Sequence, residues 1–351
     1  MQRAIRMMYN MEYGEAIALY RQILRDQPFH PLAPLGLIAV QWYDELDRLG
    51  YRTGNANLFC KIDSALLIYR RQMMLAPDDA RLPFFFGTTM GLKARLLLAQ
   101  KNWPGVLFNG YNALRYIRRG AALDPTDADL QFPFGVFDYY VGVSSGYMQI
   151  ASWILNTSGS KDEGLQQMRR TAATGHYGCY EARSVLAFVD IYLEDRYEEA
   201  SALLMRLADE FPRNPYFVYL LVEASLGTGQ LALADSCLTL LETGFDHLGA
   251  TSQKEYRRKI QLGRATLAWK HADFNSAESE LRDFIIHFDM ELDYDLSNAL
   301  WRLGQVYEQT GRLNHALEAY GKAARLDNRT TACRLAQQRI GQLQSRAGII
   351  R

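Results

Sequence analysis

The six histidines of the chain are the side chains best suited to move a proton near neutral pH. Two of them, His271 and His287, each precede an aspartate by two residues, and an aspartate could orient a histidine that acts as a base. On a helix, residues two apart point to different faces, so neither pair would meet. The histidines therefore indicate no catalytic dyad.

Paired carboxylates are the next candidates for acid and base chemistry. Asp78-Asp79 and Glu198-Glu199 stand where helices are predicted to begin, and negative charge there stabilises the exposed backbone amides. The chain has no H-E-x-x-H, G-x-S-x-G, P-loop or G-x-G-x-x-G motif. We therefore predict that the protein is not an enzyme.

The cysteines could bind a metal or form disulfides. They lie far apart, with no C-x2-C pair and no histidine at metal-ligand spacing. The four residues are Cys60, Cys179, Cys237 and Cys333. We expect free, buried thiols, no metal and no cofactor.

Charge and composition exclude several classes of protein. The chain of 351 residues is 48% apolar and carries 39 basic and 39 acidic residues, as in a folded, ordered protein. Residues 1–125 hold 16 basic against 10 acidic residues, an excess too mild to indicate nucleic-acid binding. Arginine pairs at 70–71, 118–119 and 169–170 stand near the predicted ends of helices, where cations complement exposed carbonyls. We interpret the pairs in that way rather than as anion sites.

Small residues recur along the chain, each four positions before a large apolar residue. The alanines of this pattern are Ala16, Ala65, Ala113, Ala200, Ala234, Ala277 and Ala316. In the fourth copy Gly164 takes the place of the alanine, followed by Met168. In the last copy Leu303-Gly304, Tyr307, Gly311, Ala316 and Tyr320 match the pattern W-x2-L-G-x2-Y…A-x3-F. Small residues let two antiparallel helices approach closely, and the tyrosines fill the space between hairpins.

By these residues the chain resembles tetratricopeptide repeat proteins. The resemblance implies an all-α fold, a right-handed superhelix of about eight helical hairpins with a C-terminal capping helix. Three segments are predicted: long-helix repeats in residues 1–176, regular repeats in 177–328 and the polar capping helix in 329–351.

The first half of the chain has unusually long repeats. Ala16, Ala65 and Ala113 are spaced by 49 and 48 residues, whereas Ala200 and Ala234 are 34 apart, the standard repeat length. The segment from Pro77 to Gly87 recurs, shifted by 48 residues, as Pro125 to Gly135. The extra residues of each long repeat predict helices about two turns longer than usual, joined in one repeat by a turn at residues 101–105. A short apolar helix is also predicted at Tyr147–Leu155.

Residues 78–220 carry a further resemblance. The motifs are Phe134-Gly135-x-x-Asp138-Tyr139-Tyr140, a downstream tryptophan, and Gly159-Ser160-x-Asp162-x-Gly164-Leu165. They are similar to a group of bacterial tetratricopeptide proteins with long repeats and, faintly, to eukaryotic outer-membrane proteins of the same kind. These motifs indicate a family, not an activity.

The resemblance also implies where a partner would bind. In such arrays the first helix of each hairpin lines the concave face, and repeat positions near 2, 5, 9, 12 and 13 face the groove. The corresponding residues are Arg81, Phe84, Thr88, Phe132, Tyr139, Tyr140, Tyr192, Tyr219, Glu223, Trp269, Trp301 and Gln305. This aromatic set suits a protein or peptide segment, although each aromatic could equally be core. The lysine and asparagine clamp expected of proteins that bind a carboxyl terminus is missing from this set.

The sequence therefore favours a non-catalytic scaffold that binds a protein segment in its concave groove, in an assembly or an envelope-associated complex. The rival is a ligand-binding or catalytic protein that uses a pocket enclosed by the long repeats. No segment reaches the length of a membrane span, so we expect a cytoplasmic protein, or a periplasmic or envelope-associated one if residues with an export signal precede Met1. The partner and oligomeric state are not encoded in any motif.

Overall fold

Seventeen α-helices make up the regular structure of the part of the chain that is described. The computed structural model describes residues 1–50, 56–100, 102–143, 160–290, 292–326 and 328–346, and the helix predicted at Tyr147–Leu155 lies outside these ranges. The helices are α1 (Gln2–Tyr9), α2 (Tyr13–Asp26), α3 (Ala33–Leu49), α4 (Ala56–Leu75), α5 (Arg81–Ala99), α6 (Trp103–Leu123), α7 (Ala128–Val143), α8 (Lys161–Thr174), α9 (Cys179–Tyr192), α10 (Tyr197–Glu210), α11 (Pro215–Thr228), α12 (Leu231–Thr243), α13 (Ala250–Lys270), α14 (Phe274–Ile286), α15 (Tyr294–Gln309), α16 (Leu313–Arg325) and α17 (Thr331–Arg346). Over the described ranges, α1 to α16 follow one another as eight hairpins and α17 comes last, which confirms the predicted all-α class.

Two compact units divide the chain. Unit 1 comprises residues 1–183 with 249–252, and unit 2 comprises residues 184–248 with 253–351. The division falls within α9. The predicted boundary at 176/177 separates two kinds of repeat rather than two packed units, and it stays a prediction.

The long repeats of unit 1 contain long helices. α5 has 19 residues and α6 has 21, against 14 in α11 and 13 in α12. α6 begins at Trp103, and the Asn102 side chain accepts a hydrogen bond from the Gly105 amide, so the predicted turn is shorter than expected. α13 also has 21 residues, a long first helix that the repeat pattern did not predict.

Close approach of the helices depends on the small residues of the repeat. A Cβ on Gly87 would lie 2.6 Å from the Ala113 carbonyl oxygen, and a Cβ on Gly304 would lie 2.3 Å from the Tyr320 ring. Ala113 is 4% exposed, and Ala316 and Tyr320 are fully buried. The structure thus confirms the packing roles predicted for the repeated glycines and alanines.

Some expectations about polar residues were wrong. None of the arginine pairs lies in the last turn of its helix, so they do not cap carbonyls as interpreted. Cys60 is exposed and Cys179 partly so, whereas Cys237 and Cys333 are buried thiols as predicted. The helical period and the repeat spacing predict where a residue lies along a helix, but they do not show how far a neighbouring helix covers that residue.

In unit 1 the buried carboxylate of Asp129 on α7 holds the segment between α8 and α9. Its Oδ2 accepts hydrogen bonds from the amides of His176 at 3.0 Å and Tyr177 at 2.7 Å, and its Oδ1 accepts one from Gly178 at 3.0 Å. These bonds satisfy backbone donors beyond the end of α8, where the usual helix ending is replaced.

Helix α1 packs against residues 176–181 of the same unit. The Tyr9 hydroxyl donates a hydrogen bond of 2.6 Å to Oε2 of Glu181, and Arg6 donates one of 3.1 Å to the Tyr180 hydroxyl. Gln2 donates to the His176 carbonyl oxygen. Burial raises the pKa of Glu181, and the hydrogen bond from Tyr9 opposes this shift. Helix α1 is therefore in direct contact with the start of α9, the first helix of the fifth hairpin.

Candidate functional site

The first helices of unit 2 surround a cavity of about 230 Å³, which we call the first-helix cavity. Residues of α9, α11, α13 and α15 line it, together with residues of α17 and the turn after α9. The polar lining residues are Tyr192, Asp195, Tyr197, Glu223, Thr266, Lys270, Asn298, Arg302, Gln305 and Thr331. This side-chain set comes from every hairpin of unit 2.

Tyr192 contributes a hydroxyl without a hydrogen-bond partner among the described residues. The residue is 2% exposed, and its ring packs on Tyr294 with centroids 4.6 Å apart. A buried hydroxyl that makes no hydrogen bond costs about 1–3 kcal/mol. The hydroxyl therefore has an unused hydrogen-bonding capacity, and Tyr192 is one of the residues that line the first-helix cavity.

Two cations, Lys270 and Arg302, and two carboxyls, Asp195 and Glu223, line the cavity together with Tyr192. Asn298 donates a hydrogen bond of 3.3 Å to Oε2 of Glu223, and Nη1 of Arg302 donates one of 3.0 Å to Oε1 of Gln305. Burial, followed by the charge of Arg302, lowers the pKa of Lys270. Since the two cations repel one another, an anion in the cavity would be stabilised by both.

A buried ionic cluster lies next to the cavity, centred on Asp295. Its Oδ1 accepts a hydrogen bond of 2.7 Å from the Tyr219 hydroxyl, and its Oδ2 has no partner among the described residues. Lys259 is 3% exposed, pairs with Glu255 at 2.7 Å and places its ammonium 5.1 Å from the Tyr219 ring centroid. Burial alone would lower the pKa of Lys259, but the surrounding acidic groups raise it overall.

Burial shifts both carboxyls toward the neutral form. Burial and the charge of Asp295 raise the pKa of Glu223 to about 7, and burial raises the pKa of Asp295 to about 6. Near neutral pH Glu223 is therefore partly protonated, and Lys270 and Arg302 outweigh the exposed Asp195. The side chains that line the cavity then carry a small net positive charge.

These shifts make the stability of unit 2 pH-dependent. A carboxyl with a raised folded pKa contributes stability that is present below its unfolded pKa and lost as the pH rises through its folded pKa. We expect the free energy of unfolding to fall between about pH 4 and pH 7, by on the order of 3 kcal/mol for each of Glu223 and Asp295. Thermal midpoints at pH 5 and pH 8 measure the loss, which should shrink in Glu223→Gln and Asp295→Asn but not in the exposed Glu199→Gln.

Four of the predicted groove residues come together in the first-helix cavity: Tyr192, Glu223, Trp301 and Gln305. Tyr219 is fully buried beside it in the ionic cluster. Trp269 is partly buried against the core of unit 2, and the Arg302 guanidinium lies 4.7 Å from its ring centroid. Partner contact by these residues stays a prediction.

The predicted residues of unit 1 are more dispersed. Phe84 and Tyr139 are buried at 8% and 0% exposure, so an alanine there would report loss of packing rather than loss of a partner contact. Thr88 donates to the Phe84 carbonyl oxygen, and Phe132 and Tyr140 are partly buried. Arg81 pairs with Asp79 and lines an open cavity of about 410 Å³ with residues 27–31 and Tyr177.

Sequence reasoning missed Asn298 and Arg302. The structure places both in the first-helix cavity with Lys270. Asn298 and Arg302 are four residues apart and lie on the same face of α15, next to the predicted Trp301 and Gln305. Extending the helical period from those two residues would have found them.

A family model described as tetratricopeptide repeat matches residues 297–330, which include most of α15 and all of α16. The chain contains a tetratricopeptide repeat at these residues. The match falls on the hairpin of α15 and α16, in which Gly304 packs directly against the Tyr320 ring. It does not reach the long units of residues 78–220, whose resemblance to bacterial long-repeat proteins stays an interpretation.

Solved structures similar to this chain have low sequence identity to it. Cut9, from the APC/C hetero-tetramer Cut9-Hcn1, has a TM-score of 0.49 at 12% identity, covering 93% of this chain and 52% of its own. The human IFIT1 dimer with PPP-AAAA has a TM-score of 0.36 at 17% identity, covering 91% and 69%. Yeast Tom70 has a TM-score of 0.38 at 12% identity, covering 99% and 81%. The chain spans about half the length of the Cut9 chain. No curated protein matches the sequence.

Two further features of the described residues bear on other kinds of site. None of their helices combines the length and the apolar character that crossing a bilayer requires. The same residues contain no group of three or more histidine, cysteine or acidic side chains placed to hold a metal ion.

Proposed function

We propose that this tetratricopeptide repeat protein is a non-catalytic scaffold that binds a protein segment across the first helices of unit 2. One side chain of the segment, bearing a carboxylate, enters the first-helix cavity. The observation that carries the proposal is the Tyr192 hydroxyl, buried and without a hydrogen-bond partner among the described residues, in a cavity that it shares with Arg302 and Lys270.

The size of the cavity supports a protein segment over a free small molecule. Cavities that hold drug-sized ligands occupy about 300–1,000 Å³, whereas the first-helix cavity occupies about 230 Å³. This volume suits a single side chain used as an anchor, with the rest of the segment lying over Trp301 and Gln305. The assembly to which such a partner belongs stays open, including the envelope-associated complex predicted from the sequence.

Tyr192→Phe tests the proposal because it removes only the hydroxyl. Short random peptides displayed on phage are selected against the full chain, and we expect the selected peptides to share an aspartate or glutamate. Their affinity for Tyr192→Phe should fall about tenfold, the typical worth of a hydrogen bond to a charged group. The free energy of unfolding should stay unchanged or rise by about 1 kcal/mol, since an unsatisfied buried hydroxyl is removed.

Tyr320→Phe is the matched control. The Tyr320 hydroxyl donates a hydrogen bond of 3.0 Å to Glu308, so its removal should lower stability by about 1 kcal/mol and leave peptide affinity unchanged. If Tyr192→Phe lowers peptide affinity without lowering stability, and Tyr320→Phe lowers stability without lowering affinity, the effect on binding is distinct from any effect on folding. Equal peptide affinity of the wild type and Tyr192→Phe would place the binding site elsewhere, and the rival pocket of the long repeats would then be screened with small molecules by thermal shift.

A further inference from the structure

An exposed apolar and basic surface covers one side of the long repeats of unit 1. On α6 the large exposed side chains are Trp103, Leu107, Phe108 and Tyr111, which are 50–69% exposed. On α4 they are Leu67, Ile68, Met74 and Leu75, which are 41–76% exposed. We call these eight residues the outer surface. Monomeric proteins rarely expose so many large apolar side chains on adjoining elements without a binding role.

The two helices belong to one surface because they flank the same residue of α5. The Arg70 guanidinium on α4 lies 5.7 Å from the centroid of the Phe86 ring, and this ring lies 4.3 Å from the Tyr116 ring of α6. Phe86 itself is fully buried. α4 and α6 therefore both pack on α5, with side chains of each close to Phe86, and the eight residues of the outer surface are exposed.

Positive charge accompanies the apolar side chains. α6 carries Arg115, Arg118 and Arg119 and no acidic residue. α4 carries Lys61, Arg70, Arg71 and one acidic residue, Asp63, which pairs with Lys93 of α5 at 2.5 Å. Arg70, Arg71, Arg115 and Arg119 are exposed. Along α6 the large apolar side chains lie in the first half of the helix and the arginines lie in the second half.

We propose that the outer surface docks on an anionic lipid bilayer. Tryptophan, tyrosine and phenylalanine are favoured at the interface between hydrocarbon and water, and arginines beside them are attracted to anionic headgroups. α4 and α6 lie along the bilayer in this arrangement, with their apolar side chains among the headgroups. The charge selects anionic over neutral lipid, and the eight apolar side chains of two helices provide the area that a single short helix lacks.

The first test is co-sedimentation of the full chain with vesicles. One set contains phosphatidylcholine alone and the other contains phosphatidylcholine with phosphatidylserine. We expect binding to the anionic vesicles only, weakening as salt is added. Arg115→Gln with Arg119→Gln should reduce binding by roughly 25-fold, from about fivefold per arginine near an anionic surface.

The double variant Leu107→Glu with Phe108→Glu should abolish binding. Both side chains are more than 60% exposed, so the substitutions leave the core intact. Leu240→Glu on α12 is the control, since Leu240 is 47% exposed on the second helix of a regular repeat. The proposal is overturned if the wild type stays in the supernatant with anionic vesicles, or if the double glutamate variant sediments like the wild type. It is also overturned if the wild type self-associates without lipid and the double variant is a monomer, because a second copy would then cover the outer surface.

Discussion

Replacing Gly164 by alanine is expected to lower the free energy of unfolding by about 3 kcal/mol, although every other repeat has alanine at this place. A Cβ on Gly164 would lie 2.5 Å from the Tyr139 nitrogen, 2.6 Å from the Gly135 carbonyl oxygen and 2.9 Å from the Tyr139 Cα. All three atoms are backbone, so no side chain can rotate to relieve the overlap. α7 and α8 would have to move apart along their whole interface.

The measurement is native-state hydrogen exchange of peptides from α7 and α8, which reports their local opening even when two units unfold separately. Gly110→Ala is the matched control. Nothing lies within 4 Å of a Cβ on Gly110, in the interior of α6, so alanine there should stabilise the helix by about 0.5–1 kcal/mol. Equal exchange in Gly164→Ala and the wild type would show that the helices tolerate a wider spacing.

Asp129→Asn is expected to lower the free energy of unfolding by about 2–4 kcal/mol despite its nearly unchanged shape. The carboxylate accepts hydrogen bonds from three successive amides, His176, Tyr177 and Gly178, at 2.7–3.0 Å. An asparagine has one acceptor oxygen, and its NH₂ group would face an amide donor on the other side. At least one buried amide would lose its partner and meet another donor.

Exchange of the three amides should accelerate by at least tenfold in Asp129→Asn, and the contacts of His176 and Tyr180 with α1 should loosen with them. Asp162→Asn is the control, since Asp162 lies in the exposed first turn of α8 and accepts no such set of amides. Unchanged protection of residues 176–178 in Asp129→Asn would contradict the role given to the carboxylate.

Much of the fold could be predicted because the repeat constrains each hairpin locally. The alanine and glycine positions report how closely two neighbouring helices approach, and a pattern 34–51 residues long contains both helices. The repeat pattern also explains why Gly164 was recognised as a member of the series, whereas the requirement for glycine at this position was not predicted. The overlap with Tyr139 depends on the spacing of α7 and α8, which no residue type encodes alone.

The candidate site was harder to predict for the same reason. Repeat positions identify the face of a first helix, but the depth of a side chain depends on the helices beside it. Tyr192 and Tyr219 were predicted as groove residues that could equally be core, and both are buried, whereas Arg302 was missed although it lines the cavity. Raised pKa values at Glu223 and Asp295 come from burial among four helices, which lies beyond any motif.

The contact of α1 with Glu181 has a consequence for synthesis. Tyr9 and Glu181 are 172 residues apart in sequence, whereas most repeat proteins join only neighbouring repeats. At translation rates of about 5–20 residues per second, α1 waits roughly 10–30 s after leaving the ribosome before its partner has been made. During that interval Tyr9 lacks the carboxylate that accepts its hydroxyl, and the hairpin of α1 and α2 relies on α3 alone. The hairpin of α1 and α2 thus completes its contacts only after α9 has been translated.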